Sequence, residues 1–477
     1  MEVYEEFGDQ FGDLVIVTNR EPYVHERTSD GVLCKKAIGG VVSALDAAMQ
    51  QWENGIWIAW GSGRADFDRG DLVEVPCDSP RYRLKRVKLS PKDKQFYYLG
   101  FSNRTLWPVF HLFTERAVFS TRYWRAYQRA NRKFASSVEE VAGQNSSVWV
   151  HDYHLSLVPS MVRGSSVERI GFFWHIPWVP WGTFSKIPWR EEILNGLLGS
   201  DLIGLHTRYH VRNFLECAEA MGYQVDKKRS VVHHEDRDVK IKAFPVGIDY
   251  QKFASAKTRA SGSIRRFEGG KIIFGIDRLD YTKGILERLL AFEEFLRENP
   301  EWHGEVTLLQ VATPSRTRVE EYRTLKQDVE RSVGRINGEY STLNWTPVKY
   351  FYHTISFNQL IQYYRAADVA LVTPIMDGMN LVVKEYIAAK KDTGVVILSE
   401  FAGAAEELEE AIIVNPYDIH ALAESIKRAL EMPEDEKKER FKALKAKVKN
   451  RDINWWMEKF FHEWAKVYNR NRTPAPE

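Results

Sequence analysis

The chain has 477 residues, which at about 150 residues per domain suggests two or three domains. Lys plus Arg number 67 and Asp plus Glu 65, so the formal charge is +2, without the basic excess of a nucleic-acid binder. With 44% hydrophobic and 28% charged residues, it reads as a globular protein able to bury a large core, which excludes long disorder.

Cys34, Cys77 and Cys217 are far apart, too few for a disulfide framework and wrongly spaced for a zinc cluster. The acidic start MEVYEEFGDQFGD is no secretory signal. The longest uncharged window, residues 170–185, contains three polar or proline breaks (His175, Pro177, Pro180) and is too short to span a bilayer. A cytoplasmic protein with no membrane and no nucleic-acid partner is expected.

In chain order, short apolar runs recur between helical stretches. They are LVIV (14–17), VWV (148–150), IGFF (170–173) and LIGL (202–205), then IIFGI (272–276), VTLLQVA (306–312), VALV (369–372), VVIL (395–398) and AIIV (411–414). Continuous rather than alternating apolar strands are buried on both faces, as in parallel sheets covered by helices. VSALDAAMQQW, YHVRNFLECAEAMG and ALAESIKRALEM carry helical spacing. The pattern predicts two doubly wound, Rossmann-like α/β domains, residues 1–246 and 247–450. A last segment, 451–477, should form a helix packing its aromatic face back on the first domain, before a frayed tail. Residues 254–270 read as a surface connection, and the mixed charges of 434–451 as a solvated helix face.

Nearly every apolar strand runs into ionisable or amide residues. LVIVT leads to Asn19 and Arg20, VWV to His151, Asp152, Tyr153 and His154, and IGFFW to His175. In the second half, IIFGI leads to Asp277, Arg278 and Asp280, VTLLQVATPS to Arg316, and VALVTPIM to Asp377. Ligands of open parallel sheets bind beyond the carboxyl ends of the strands. Two such sheets facing across a cleft would gather these groups into one site.

Two helix starts add anion-binding capacity, because glycine admits close backbone approach and free N–H groups favour phosphate oxygens. Gly39 and Gly40 precede VVSALDAAM, and Asp377, Gly378, Met379, Asn380 and Leu381 precede VVKEYIAA, with Glu385 one turn on. Arg278 and Lys283, five apart just past a strand, suit a diphosphate leaving group; pairing with Asp277 and Asp280 is the competing reading. The pair Asp66 and Asp68 imitates a DxD metal motif but follows no convincing apolar strand. His233 and His234 read as a solvated turn, and His151 with His154 lacks a third zinc ligand.

Together these residues resemble the trehalose-6-phosphate synthase family, retaining glycosyltransferases of the two-domain GT-B architecture. The resemblance runs through roughly residues 15–414 and rests on motifs in the family's order. They include TNR then GG, FSNRTLWP, VHDYHL, GFFWHIP, PWREEILNGLLGSDLIGLHT, FPVGID, DRLDYTKGI, TPSR, VGRINGEYSTL, TPIMDGMNLVVKEY and ILSEFAGAA. It implies an enzyme moving glucose from a nucleotide diphosphate glucose, UDP-glucose foremost, to glucose 6-phosphate, giving α,α-trehalose 6-phosphate. By the same resemblance the first domain takes the acceptor and the second the nucleotide sugar.

The implied donor site uses Arg278 and Lys283 on the diphosphate with the stretch Gly378, Met379, Asn380 and Leu381. Glu385 would meet the ribose hydroxyls, and Asp377 and His175 the donor glucose. Gly40 would lie against the donor, and Ile355 and Val382 near the base. The implied acceptor site is Arg20, Trp60, Tyr98, Trp107, Asp152 and Arg316: arginines suit a phosphate dianion, and aromatic faces suit a sugar. Arg278, Lys283, His175 and Asp152 are the implied catalytic set. No metal or cofactor is expected, and the resemblance suggests dimers or tetramers.

Double displacement needs a carboxylate nucleophile beneath the anomeric carbon, yet Asp152, Asp377 and Glu385 all have binding assignments. Charge stabilisation by Arg278 and Lys283 with positioning is therefore the expected mechanism, the leaving phosphate accepting the acceptor's proton. The alternatives are another phosphorylated acceptor, such as glycerol 3-phosphate or a cyclitol phosphate, or a catalytically silent regulatory relative. A bifunctional synthase–phosphatase is disfavoured by the short stretch after Pro416. Trp178 and Trp181 depart from the family pattern after HIP and could reshape a substrate pocket, the plainer reading being that they pack. The polar loop through residues 19–40 reads as a mobile lid over the donor.

Overall fold

The structure is a computed structural model that describes residues 7–472 except 9, 30, 38–39, 53, 69, 166, 258–269 and 317–318. Gly39, most of the 254–270 connection and the last five residues of the tail lie outside the described residues. The chain divides into two compact units, one of Met1–Val246 with Ile453–Glu477, the other of Gly247–Asp452.

The strands of the first unit are β1 (Leu14–Arg20), β2 (Tyr23–Thr28), β3 (Gly31–Lys36), β4 (Ile56–Trp60), β5 (Leu72–Val75), β6 (Tyr82–Val87), β7 (Ser147–His151), β8 (Arg169–Phe173), β9 (Leu202–Leu205), β10 (Gln224–Asp226), β11 (Val231–His234) and β12 (Arg237–Ala243). Ten of them form one sheet in the order β10-β11-β12-β9-β8-β7-β1-β4-β6-β5. From β12 to β6 every neighbouring pair is parallel, and antiparallel strands close both edges. The central strands are buried along their length, which is why they read as unbroken apolar runs.

Three expectations need correcting here. β4, IWIAW, is fully buried beside β1, so Asp66 and Asp68 do follow an apolar strand; its two tryptophans had obscured it. His233 and His234 lie on the strand β11, held in register by antiparallel pairing with β12, and not on a turn. Cys34 and Cys77 form a disulfide although 43 residues apart, because β2 and β3 fold into a separate hairpin reaching the segment after β5.

The helix Ile453–Arg472 docks on the sheet of this first unit through Trp456, Phe460 and Trp464. Phe460 stacks on Trp149 with centroids 4.6 Å apart, and Trp464 meets Phe11 at 4.9 Å. Gly171 of β8 makes this possible: a Cβ there would press on Phe460 at 3.1 Å and Trp464 at 3.2 Å. Each such aromatic is worth about 3–5 kcal/mol against truncation.

The second unit has a six-stranded parallel sheet of β13 (Lys271–Arg278), β14 (Val306–Thr313), β15 (Val348–Phe351), β16 (Val369–Val372), β17 (Val395–Ser399) and β18 (Ile412–Val414). The order is β15-β14-β13-β16-β17-β18, so the chain leaves β13 in one direction and returns on the other side at β16. This is the doubly wound order whose crevice, at the reversal between β13 and β16, receives ligands. The core beneath it joins Leu289, Phe292 and Phe295 of the helix Ile285–Glu298 to Leu308, Leu371 and Ile397 of the sheet. In the first unit the equivalent reversal falls between β1 and β7.

Candidate functional site

In the first unit, candidate side chains gather where β1 and β7 end. β1 delivers Arg20, whose Nη2 donates to the Tyr98 hydroxyl at 2.7 Å while the guanidinium lies 5.2 Å over the same ring. Tyr98 meets Trp60, from the end of β4, edge-on at 5.4 Å and stacks on His154 at 5.8 Å. Lys94 adds an ammonium 4.9 Å from the Trp60 ring.

Tyr98 is held by an unusual element. Residues Lys94–Leu106 wind as a π-helix, closed by the Trp107 N–H donating to the Ser102 carbonyl five residues back. Such wide turns are rare and concentrate at functional sites. Here the wide turn presents Tyr97 and Tyr98 in sequence. The Tyr97 hydroxyl donates to Asn19 Oδ1 at 2.8 Å, and the Asn103 amide donates to the Tyr98 carbonyl at 2.6 Å. Tyr153 in turn donates to Asn103 at 3.3 Å and sits 5.9 Å from the Trp107 ring, so Trp107 joins the group indirectly.

β7 is followed by Asp152, whose φ of +77° is a left-handed conformation sparsely populated outside functional sites. Its carboxylate accepts from the Tyr153 N–H at 2.9 Å and lies 3.5 Å from His154 Nδ1. Burial alone would raise its pKa, but the His154 hydrogen bond and charge, with His175 and the Tyr153 N–H, hold it at about 2. Asp152 is therefore a permanent anion and no general acid. His175, just past β8, is pushed down to about 4 by burial, against the pull of Asp152, and is neutral at pH 7. Its Nε2 is 3.0 Å from His151 Nδ1, its carbonyl accepts from His206, and its Nδ1 is buried without a partner. Asn19 Nδ2 and Trp60 Nε1 are likewise buried and unpaired. Buried polar atoms cost free energy unless something bonds them.

In the second unit, the Lys283 ammonium lies 2.5 Å from Asp377 Oδ2, which also accepts from the Asn380 amide at 3.1 Å. Lys283 closes the short turn Tyr281–Lys283 after β13, and Asp377 follows β16, so the pair marks the reversal point of the sheet. Asn380, at φ +73°, caps the helix Leu381–Ala389 by accepting from the Val383 N–H at 3.3 Å. Glu385, half-buried one turn further, accepts from the Tyr364 hydroxyl at 2.8 Å, and burial raises its pKa to about 7 against that bond and Lys252.

The competing partners for the cation pair, Asp277 and Asp280, are also held by other side chains. Asp277 is bound at 2.9 Å by Arg288, a fully buried guanidinium that also reaches Gln310, Thr373 and the Lys283 carbonyl. Asp280 is bound at 3.0 Å by Arg316 and by the Tyr322 hydroxyl. Burial opposes its ionisation, yet Arg316, Arg278 and Lys283 together hold its carboxyl at about 2. Arg278 is exposed at the tip of β13. Arg316 thus sits in a buried ion pair within this unit. Arg288 carried no signal in the sequence, because it occupies an apolar-spaced helix position and looks like one more surface arginine.

Gly40 opens the helix Gly40–Met49. Gly378, Met379 and Asn380 are buried, Leu381 and Val382 half-buried, and Ile355 lies half-buried in the link between β15 and the helix Phe357–Ala366. Trp178 is 1% exposed, packed on Phe110, Trp174, Phe184 and Phe214, and so belongs to the core. Asp66 accepts from the His25 and Gly63 N–H groups, and Asp68 pairs with Arg27, so the acidic pair latches the hairpin.

Among the described residues, two groups bring three possible metal ligands together: His25, Cys34 and Cys77, and Glu294, Glu298 and His420. In the first, both sulfurs are committed to the disulfide.

The profile of Glycosyltransferase family 20 matches residues 12–466. The bifunctional trehalose-6-phosphate synthase/phosphatase of Thermoproteus tenax is 41% identical over 470 residues, 94% of this chain, which spans 63% of that protein's length. The trehalose-6-phosphate synthase of Mycobacterium marinum is 40% identical over 97% of this chain and 95% of its own. The crystal structure of a UDP-forming α,α-trehalose-phosphate synthase from Burkholderia xenovorans in complex with glucose-6-phosphate superposes with a TM-score of 0.85 at 31% identity, covering 94% of this chain and 99% of that one. With two Rossmann-like units of the GT-B kind and this likeness along nearly its whole length, the chain belongs to glycosyltransferase family 20, the trehalose-6-phosphate synthases.

Proposed function

We propose that this chain transfers glucose, with retention, from UDP-glucose to glucose 6-phosphate, forming α,α-trehalose 6-phosphate. The observation that carries this reading is the Lys283–Asp377 pair at the sheet reversal of the second unit, in a chain whose relatives include trehalose-6-phosphate synthases. An ammonium there is in position to exchange a carboxylate for a pyrophosphate oxygen. Arg278 supplies the second cation, and the N–H groups at the start of the helix Leu381–Ala389 favour the same anion. Glu385 receives the ribose hydroxyls.

In the first unit, Arg20 and Tyr98 take the acceptor phosphate. The Trp60 ring, Trp107 and Asp152 take the acceptor sugar. The unpaired His175 Nδ1 fits a hydroxyl of the donor glucose, as Trp60 Nε1 and Asn19 Nδ2 fit hydroxyls of a bound sugar. A neutral imidazole accepts or donates such a bond without adding charge.

Asp152, Asp377 and Glu385 are each engaged as hydrogen-bond acceptors, so none is offered as a covalent nucleophile. The reaction then proceeds on one face of the glucose. The bond to the diphosphate breaks as Arg278 and Lys283 neutralise the leaving oxygen, and that oxygen takes the proton of the acceptor's anomeric hydroxyl. The carriers are the substrates and the cations of the chain itself.

The test is to incubate the purified chain with UDP-, GDP- and ADP-glucose against glucose 6-phosphate, glycerol 3-phosphate and a cyclitol phosphate. The product linkage is then read by NMR. An α,α-1,1 linkage formed from UDP-glucose and glucose 6-phosphate is expected; transfer to another acceptor, or none, overturns the reading.

A further inference from the structure

The hairpin of β2 and β3 forms a two-stranded sheet of its own, and β3 is mostly exposed. The outgoing strand is gripped along its length. The His25 N–H donates to Asp66 at 2.7 Å, the His25 carbonyl accepts from Ala65 at 3.0 Å, Arg86 bonds the Tyr23 carbonyl at 3.1 Å, and Arg27 pairs with Asp68. The returning strand, besides pairing with β2, is held among the described residues by the Cys34–Cys77 disulfide and the Lys36–Asp46 ion pair. Four residues beyond Lys36, Gly40 opens the helix Gly40–Met49. The disulfide therefore ties the strand that precedes that helix in the sequence.

The surroundings of the bond are arranged for exchange chemistry. Cys77 is exposed. His25 Nε2 lies 3.3 Å from Cys77 Sγ, and Arg86 Nη2 lies 2.6 Å from His25 Nδ1. A guanidinium only donates, so Nδ1 accepts and the ring hydrogen sits on Nε2, directed at the sulfur. An N–H aimed at sulfur stabilises a thiolate and makes it the better leaving group. Cys217, the remaining cysteine, is buried and takes no part.

We propose that Cys34–Cys77 is a thiol-exchange switch that sets affinity for the nucleotide-sugar donor. Closed, it fixes β3 and the start of the helix Gly40–Met49; opened by a small dithiol, it frees both and weakens donor binding. The effect on the donor rests on the proposed function and on the donor contact that the family resemblance implies for Gly40, whereas the exchange chemistry does not. A thiolate of the dithiol attacks Cys34 Sγ, a new S–S bond forms, and the Cys34–Cys77 bond breaks with its electron pair on Cys77 Sγ beside His25 Nε2–H. The second thiolate of the reagent displaces Cys34. The reagent ends as its cyclic disulfide, oxidised by two electrons, and its two protons end on the two protein thiols. An oxidised low-molecular-weight disulfide reverses the sequence.

The test uses the full chain before and after dithiothreitol, with alkylation and peptide mapping to count open bonds, and steady-state kinetics in both states. The expected map links Cys34 to Cys77 before reduction. Reduction should raise the donor KM by roughly fivefold or more, with kcat and acceptor KM within about twofold, and reoxidation should restore it. Cys34→Ser and Cys77→Ser should match the reduced protein and ignore dithiothreitol, and His25→Ala should slow the opening of the bond. Equal donor KM in mapped open and closed states overturns the proposal, as does a map showing two free thiols in the oxidised protein. If neither state transfers glucose, the glucosyltransferase reading fails instead, while the map and the His25→Ala rate still judge the exchange site.

Discussion

Lys283 and Asp377, 94 residues apart, meet at 2.5 Å where β13 and β16 diverge. The ammonium is thus held on a carboxylate at the place proposed for a diphosphate, and the Asn380 amide donates to the same carboxylate oxygen. If these cations stabilise charge that grows on the leaving group, their loss is felt in turnover. Lys283→Ala and Arg278→Ala should each lower kcat by about 10²–10³-fold, the cost of one transition-state donor. Acceptor KM should stay within about twofold. Steady-state assays with saturating donor read both, and near-normal kcat in both variants removes the assigned role.

Glu385 predicts a pH dependence. Burial raises its carboxyl from 4.5 to about 7, with the Tyr364 hydroxyl and Lys252 opposing less strongly. The native state therefore binds a proton that the unfolded chain releases, so this group's contribution to stability is greatest below about 4.5 and falls as pH rises towards 7. The ionised carboxylate accepts from both ribose hydroxyls more strongly than the protonated acid does, so nucleotide binding should run the opposite way. UDP affinity should rise about tenfold between pH 6 and 8, following the ionised fraction. Glu385→Gln should bind UDP more weakly at pH 8 and show a flat profile. Calorimetric titration at three pH values decides it.

How much of this was legible depends on where each signal resides. The runs at β7, β9 and β16 are continuous because both faces are buried, and the rule that ligands meet strand carboxyl ends then pointed to Arg20, Asp152, Arg278 and Asp377. β6 was not legible, since Arg83, Lys85 and Arg86 interrupt its apolar pattern. The π-helix of Lys94–Leu106 has the composition of any amphipathic segment; its wide turn is set by tertiary bonds such as Tyr97 to Asn19. The disulfide, the Lys283–Asp377 pair and the Arg288–Asp277 pair join distant segments, so no local pattern encodes them.

The contact of Arg20 with Tyr98 predicts a selective loss. Tyr98 orients the guanidinium by its hydroxyl, at 2.7 Å, and by its ring. Tyr98→Phe keeps the ring and removes the hydroxyl. A hydrogen bond to a charged group is worth about 1.5–3 kcal/mol, so the KM for glucose 6-phosphate should rise at least about tenfold. The KM for UDP-glucose should be unchanged, and Arg20→Lys, which cannot present a planar fork, should behave like Tyr98→Phe. Equal shifts in both KM values would place Tyr98 outside the acceptor site.

Gly284 joins Lys283 to the helix Ile285–Glu298 at φ +62°, in the left-handed region, where a Cβ would collide with the Thr373 carbonyl oxygen. Gly284→Ala should therefore cost at least about 1–2 kcal/mol for the conformation alone, more with the collision. Relief requires the turn to move away from Thr373, and Lys283 moves with it. The melting temperature and kcat should thus fall together, while Tyr98-dependent acceptor KM stays put. Gly338→Ala is the matched control: it lies in the helix Glu320–Tyr340 with nothing beyond its neighbouring helix backbone within 4 Å of the added Cβ, and it should stabilise by about 0.4–1 kcal/mol without touching kcat. A Gly284→Ala enzyme with normal stability and turnover would show that the turn tolerates the shift and that Lys283 does not depend on it for its place.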